Sequence, residues 1–175
     1  MYAPSLEKLI RIIPDWPSKG VMFQDLTGVL ASAEGLAEVS TGLADPFRDA
    51  GIDIVAGMEA RGFIVGAAVA RELGTGFVAL RKAGKLPGAV HSATYELEYG
   101  TATLQVHQED IKPGSRVLLI DDVLATGGTA RAAADLILKC SAVPVGLGVI
   151  LSLEFLHGRS KLTDLQVHAL RNIDS

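Results

Sequence analysis

Cysteine is almost absent from this 175-residue chain. Cys140 stands alone, so neither an internal disulfide nor a cysteine-based metal cluster can form. Aromatic residues are scarce at 5%, so the core has to be assembled from Ala, Val, Leu and Ile. No apolar run approaches the roughly 18 residues that a membrane-spanning helix needs. Glu7, Lys8 and Arg11 interrupt the apolar residues at the start, unlike the unbroken apolar centre of a secretory signal, so a cytoplasmic location is expected. An excess of positive charge is missing too. Sixteen Lys and Arg face twenty Asp and Glu, giving a net charge of −4 and a pI of about 5.5. That balance excludes a general binder of nucleic acid or anionic membrane, and any anion must be held at a local site. What the chain does have is apolar bulk. Hydrophobic residues make up 49% and charged residues 21%, with mean hydropathy +0.33, as expected of one folded domain spanning residues 1–175.

The periodicity predicts a short amphipathic helix over 5–13, stopped by Pro14. An irregular stretch follows, punctuated by Pro14, Pro17 and Gly20, and then a helix over 34–50 that Pro46 kinks or splits. Beyond Gly51 strands and helices alternate: strand 52–56, helix 61–73 ended by Gly74, strand 76–80, strand 117–120, helix 130–139 and strand 144–151. Strands that are apolar at every position, separated by helices, indicate a parallel sheet covered on both faces. Residues 93–98 and 101–107, joined at Tyr99-Gly100, have the pattern of an antiparallel hairpin. The expected fold class is therefore α/β, with a hairpin and a flexible loop (82–107) inserted in it.

The segment richest in chemistry is Val117-Leu-Leu-Ile-Asp-Asp-Val-Leu-Ala-Thr-Gly-Gly-Thr129. An apolar strand ends in two carboxylates, and a turn of small residues leads into a helix. In an open parallel sheet ligands bind beyond the carboxyl ends of strands, where Asp121 and Asp122 are expected. Ala125, Thr126, Gly127, Gly128 and Thr129 have little side-chain bulk, so backbone N–H groups can wrap a phosphate at the positive end of the helix. Carboxylates suit ribose hydroxyls instead, and they stabilise positive charge developing on a sugar. The combination points to a ribose phosphate. The alternative, a solvated strand end and an ordinary turn, would leave two adjacent like charges uncompensated. No Gly-Lys-[Ser/Thr] follows, so this is not a Walker A loop.

Residues 73–95 contain no acidic residue, yet they carry Arg81, Lys82 and Lys85 among Gly84, Pro87 and Gly88. In an acidic protein that window is either a mobile anion-binding loop or a solvated basic one. Arg61 opens a helix just after a strand, where its fork can reach the same crevice or pair with Glu59. Phe23 reads as core filler by residue type alone. Glu98 and Tyr99 read as ordinary turn chemistry at the hairpin tip. His91, His107, His157 and His168 have no metal-ligand spacing, and Cys140 reads as packing.

The thirteen-residue run resembles the phosphoribosyl pyrophosphate (PRPP) signature of the type I phosphoribosyltransferases. Across about residues 5–165 the chain is similar to the adenine phosphoribosyltransferase family within them. Ile13-Pro-Asp-Trp-Pro17, Gly20-Val-Met-Phe-Gln-Asp-Leu-Thr27, Glu59-Ala-Arg-Gly-Phe63, Arg81-Lys-Ala-Gly-Lys-Leu-Pro-Gly88 and Leu97-Glu-Tyr-Gly100 carry the likeness. The resemblance implies a type I phosphoribosyltransferase-like sheet with a small N-terminal hood (about 1–35) over the base. It implies transfer of phosphoribose from PRPP to adenine, giving AMP and pyrophosphate, in a homodimer. Ala125–Thr129 would take the 5′-phosphate, and Arg61, Arg81, Lys82 and Lys85 the pyrophosphate, with Arg81 acting in its own or the neighbouring subunit. Phe23 would stack on the purine, Met22 and Gln24 would read its edge, and Val123 would close its other face. Gln24 departs from the arginine usual in that family and bears on which purine is taken. Glu98 would move the proton and Tyr99 would close the site. Magnesium would ride mainly on substrate and water, without a protein cage. Two alternatives are a phosphoribosyltransferase for hypoxanthine, guanine or xanthine, and a PRPP-sensing regulator without activity.

Overall fold

A computed structural model describes residues 5–96 and 100–174. The chain runs α1 (Ser5–Leu9), β1 (Arg11–Pro14), β2 (Met22–Asp25), α2 (Thr27–Ala31), α3 (Ala33–Ala44), β3 (Ile54–Met58), α4 (Arg61–Leu73) and β4 (Gly76–Lys82). It continues β5 (Val90–Glu96), β6 (Thr101–His107), β7 (Arg116–Leu124), α5 (Gly128–Lys139), β8 (Val143–Leu153) and β9 (Gln166–Ile173). Seven strands form one sheet in the order β5-β6-β4-β3-β7-β8-β9. From β4 to β9 all neighbours are parallel, and β6 joins β4 antiparallel at Arg81↔Gln105 and Lys82↔Leu104. The α/β fold with helices on a mostly parallel sheet is as expected, and the hairpin proves to be a continuation of that sheet.

Burial follows the strand alternation of β7. Val117 and Leu119 pack with Leu104, Val106, Ala133 and Ile137 under α5 and the hairpin. Leu118 and Ile120 pack on the other face with Leu43, Phe47, Val65 and Val69 beneath α3 and α4. A sheet buried on both faces needs strands without polar alternation, and β8 meets that demand with buried residues from Leu147 to Ser152. The helix expected over 34–50 stops at Ala44, and Pro46 sits in a 3₁₀ turn, Asp45–Phe47. Ser32 caps α3, its hydroxyl accepting from the Gly35 N–H at 3.1 Å. Ser32→Ala should therefore lower stability by about 1 kcal/mol, read as a shift in the urea midpoint at unchanged slope.

Three expectations need correction. The helix over 5–13 ends at Leu9, because Arg11–Pro14 pairs antiparallel with Met22–Asp25 in a two-stranded ribbon. Ribbon pairing there overrides the helical periodicity. Strand 117–120 runs on to Leu124, so Asp121 and Asp122 lie within β7 and not past its end. Pairing with β8 at Asp121↔Val149, Val123↔Leu151 and Leu124↔Ser152 carries the strand on, whereas pairing with β3 stops at Gly57↔Ile120. The last strand, β9, was not expected at all. The remaining boundaries coincide with expectation, as for α4 and β6, or move by up to three residues. Among the described residues no helix is long and apolar enough to cross a membrane, which says nothing of a β-barrel.

Candidate active site

The sheet order reverses between β3 and β7, and a crevice opens at the carboxyl ends of these two strands. β3 delivers Glu59 and Arg61; β7 delivers Asp121, Asp122 and the turn into α5. Asp122 is buried, 6% exposed, and its Oδ2 lies 2.6 Å from Arg61 Nε. The N–H of Arg61 does not point along that contact, so Asp122 Oδ2 accepts no hydrogen bond from the described residues. Asp121 Oδ1 accepts from the Asp122 N–H at 2.9 Å. Burial first, and the neighbouring Asp122 charge second, hold the Asp121 carboxyl well above the ordinary carboxylate range. Residue alternation sends the two carboxylates to opposite faces of β7, and each meets a different cavity.

Asp121 lines a small cavity of about 80 Å³ between the 125–129 turn and the buried side chains of Leu147 and Val149. Gly127 precedes α5 with φ +77°, a left-handed conformation that favours glycine. No side chain caps the helix, so the N–H groups of its first turn face the turn's hollow without competition, and no acidic residue sits among them. Thr129 Oγ1 donates to Tyr95 Oη at 3.3 Å, tying the turn to the hairpin. The hollow suits a compact anion.

Asp122 lines a larger apolar cleft of about 610 Å³. The cleft brings together Met22, Phe23, Gln24, Val123, Arg61 and Ala125, all singled out from sequence. The ribbon supplies the first three, held at its base by Asp25, which accepts from both the N–H and the hydroxyl of Thr27. Those two bonds, the N–H first, hold the Asp25 carboxyl below its usual range. Trp16 leans on Phe23 with ring centroids 4.4 Å apart. Val123 and Ala125 line both cavities.

The basic residues are less gathered. Arg81 Nε lies 3.5 Å from Glu59 Oε2, its Nη1 donates to the Lys85 carbonyl at 3.4 Å, and its guanidinium sits 6.0 Å from the Phe63 ring. Glu59 accepts from the Lys82 N–H at 2.8 Å, the main cause of its lowered pKa. Glu59 thus pairs with Arg81, leaving Arg61 to Asp122. Glu98 and Tyr99 lie outside the described residues. Sequence reasoning missed Leu153, Phe155, Leu156 and Ile173, which complete the cleft from the β8 and β9 ends. Their segment carries no phosphate or carboxylate motif, and no local pattern in the sequence marks it. No three His, Cys, Asp or Glu side chains converge as metal ligands among the described residues.

The phosphoribosyl transferase domain model matches residues 28–166. The adenine phosphoribosyltransferase of Thermobifida fusca is 52% identical over 168 residues, 96% of each chain. The crystal structure of the Thermoanaerobacter pseudethanolicus adenine phosphoribosyltransferase superposes with a TM-score of 0.92 at 41% identity, covering 97% of this chain and 98% of that one. The Saccharomyces cerevisiae enzyme, solved in complex with an imino-altritol bisphosphate and adenine, gives 0.91 at 37% identity, with the same coverage.

Proposed function

The chain belongs to the phosphoribosyltransferase family, among its adenine phosphoribosyltransferases, and from its site we propose how it moves the 5-phosphoribosyl group of PRPP to adenine, giving AMP and pyrophosphate. The observation that carries the assignment is the pairing of an anion-shaped turn with an apolar cleft across the shared residues Val123 and Ala125. A base in the cleft and a 5′-phosphate in the turn leave the ribose over Asp121 and Asp122.

The 125–129 turn holds the 5′-phosphate by backbone N–H groups and the α5 N-terminus. Phe23 stacks on the purine and Val123 closes its other face, while the backbone of Met22 and Gln24 reads its edge. As the C1′–oxygen bond to pyrophosphate breaks, the electron pair leaves with pyrophosphate and the sugar gains positive charge. Asp121 and Asp122 hold the ribose hydroxyls and stabilise that charge. Arg61, Lys82 and Lys85 receive the anionic leaving group, joined by Arg81 once its bond to Glu59 yields. The adenine nitrogen forms its bond to C1′ from the opposite side and gives its proton to Glu98. Tyr99 and the basic loop close over the site and keep water from the activated sugar. Two carboxylates divided between two cavities suit a cation that arrives on its substrate, since Mg²⁺ retains water ligands. Bound to PRPP, Mg²⁺ supplies charge neutralisation on the leaving group. The protein works in the cytoplasm as a homodimer, the latter readable by light scattering.

Purified protein with PRPP and magnesium, offered adenine, hypoxanthine, guanine, xanthine and orotate separately, should form AMP from adenine and no nucleotide from the others. Gln24 in the cleft wall is the feature that favours the second reading, a different purine, and turnover of guanine or hypoxanthine instead would establish it. PRPP binding without any product would overturn the enzymatic reading.

A further inference from the structure

Between β8 and β9 the chain makes two 3₁₀ turns, Glu154–Leu156 and Gly158–Lys161. The first carries Phe155 and Leu156 into the apolar cleft. The second brings Gly158 against the anion-binding turn, so closely that a methyl group on Gly127 would strike the Gly158 carbonyl, and one on Gly158 the Ala125 carbonyl. One side chain fastens this segment. Arg159 Nε donates to Glu154 Oε1 at 2.8 Å, Nη1 to the Val167 carbonyl at 3.0 Å and Nη2 to Asn172 Oδ1 at 3.1 Å. Val167 and Asn172 belong to β9, so the guanidinium bolts the segment to the edge of the sheet. Glu154 also accepts from the hydroxyl of the buried Ser152 near the end of β8, and Arg159 first and Ser152 second lower its pKa.

We propose that Arg159 is a positioning residue for both substrates: its three-way clasp sets Phe155 and Leu156 as the outer wall of the base cleft and, through Gly158, sets the anion-binding turn. The inference rests on assigning the cleft to adenine and the turn to the 5′-phosphate. A planar fork satisfies three acceptors at fixed angles, which an ammonium group cannot do. The pair with Glu154 is partly exposed and contributes little to global stability, so the effect falls on binding geometry rather than on folding.

The test is calorimetric titration of adenine and, separately, ribose 5-phosphate into wild type, Arg159→Ala, Arg159→Lys and Phe155→Ala, with melting temperatures alongside. Arg159→Ala should weaken both ligands by about tenfold while the melting temperature barely moves. Arg159→Lys should recover little of either affinity, and Phe155→Ala should weaken adenine alone. If Arg159→Ala proves insoluble, Glu154→Gln, which keeps the shape but removes the charge, should shift both affinities in the same direction. Unchanged binding of both ligands, loss of only one, or full rescue by lysine would overturn the clasp. Failure of the wild type to bind adenine or ribose 5-phosphate would instead overturn the substrate assignment beneath it.

Discussion

Asp122→Asn should lower kcat by about a hundredfold at saturating adenine and PRPP, and Asp121→Asn by tenfold or more. The expectation comes from where the two carboxylates stand. Asp122 is buried with Arg61 Nε 2.6 Å from its Oδ2, yet that oxygen accepts no hydrogen bond from the described residues and so keeps its acceptor capacity for a ribose hydroxyl. At Asp121, burial first and the neighbouring Asp122 charge second disfavour the ionised form. A charge that is unfavourable in the empty site and compensated by a cationic sugar stabilises the transition state more than the ground state. Asparagine keeps the size and removes that differential. Normal kcat in both variants would sink the electrostatic role.

The same substitution at Asp121 should raise stability. Its folded-state pKa lies above its unfolded value, so folding favours the neutral acid. That contribution is fully present below the ordinary carboxylate range and is lost as the pH rises through the raised pKa. Asp121→Asn mimics the neutral acid at every pH. It should therefore melt above wild type at pH 8 and converge with it at acid pH. A variant that melts lower than wild type at pH 8 would contradict the burial argument.

Gly127→Ala and Gly158→Ala should each cost about 2–4 kcal/mol and reduce kcat/KM for PRPP more than a hundredfold. At Gly127 two penalties add: φ of +77° is unfavourable for alanine, and the new methyl meets the Gly158 carbonyl. At Gly158 the methyl meets the Ala125 carbonyl, a backbone atom that moves only if the whole turn moves. Chemical denaturation reads the stability loss, and initial rates at varied PRPP read the second effect. A variant that lost stability yet kept its PRPP parameters would separate this contact from the anion site.

The helix α4 was legible to the residue, because Arg61 follows a strand end and Gly74 supplies the left-handed stop. The turn into α5 was equally plain, since small residues between a strand and a helix have few other uses, although the helix starts at Gly128, two residues before the expected 130. The ribbon was not legible: Ile12-Ile13 continues a helical pattern locally, and only pairing with Phe23 and Gln24 makes it a strand. Asp121 and Asp122 hid their strand conformation for a related reason. Charged residues read as a strand end, whereas here β8 continues the ladder past the point where β3 stops. β9 begins Gln166-Val-His168 and includes Arg171 and Asn172, too polar to match the buried-strand pattern, because it lies at the sheet edge. Phe155 and Leu156 fall in a segment whose place depends on Arg159 reaching β9, a contact between positions that no local spacing announces.

Val123 and Ala125 are walls common to two compartments, one shaped for an anion and the other for a flat apolar ring. On the proposed assignment adenine would fill one and ribose 5-phosphate the other, and a finished nucleotide would be anchored in both at once. Once one end is docked, the tether through the ribose would keep the other end at high effective concentration, so AMP should bind more tightly than either half. The partition that would line up the reactants for bond formation would thereby also retain the product. On that reading, departure of AMP, which requires both anchors to release together, should pace turnover at saturation, and a burst of AMP in the first turnover would show it.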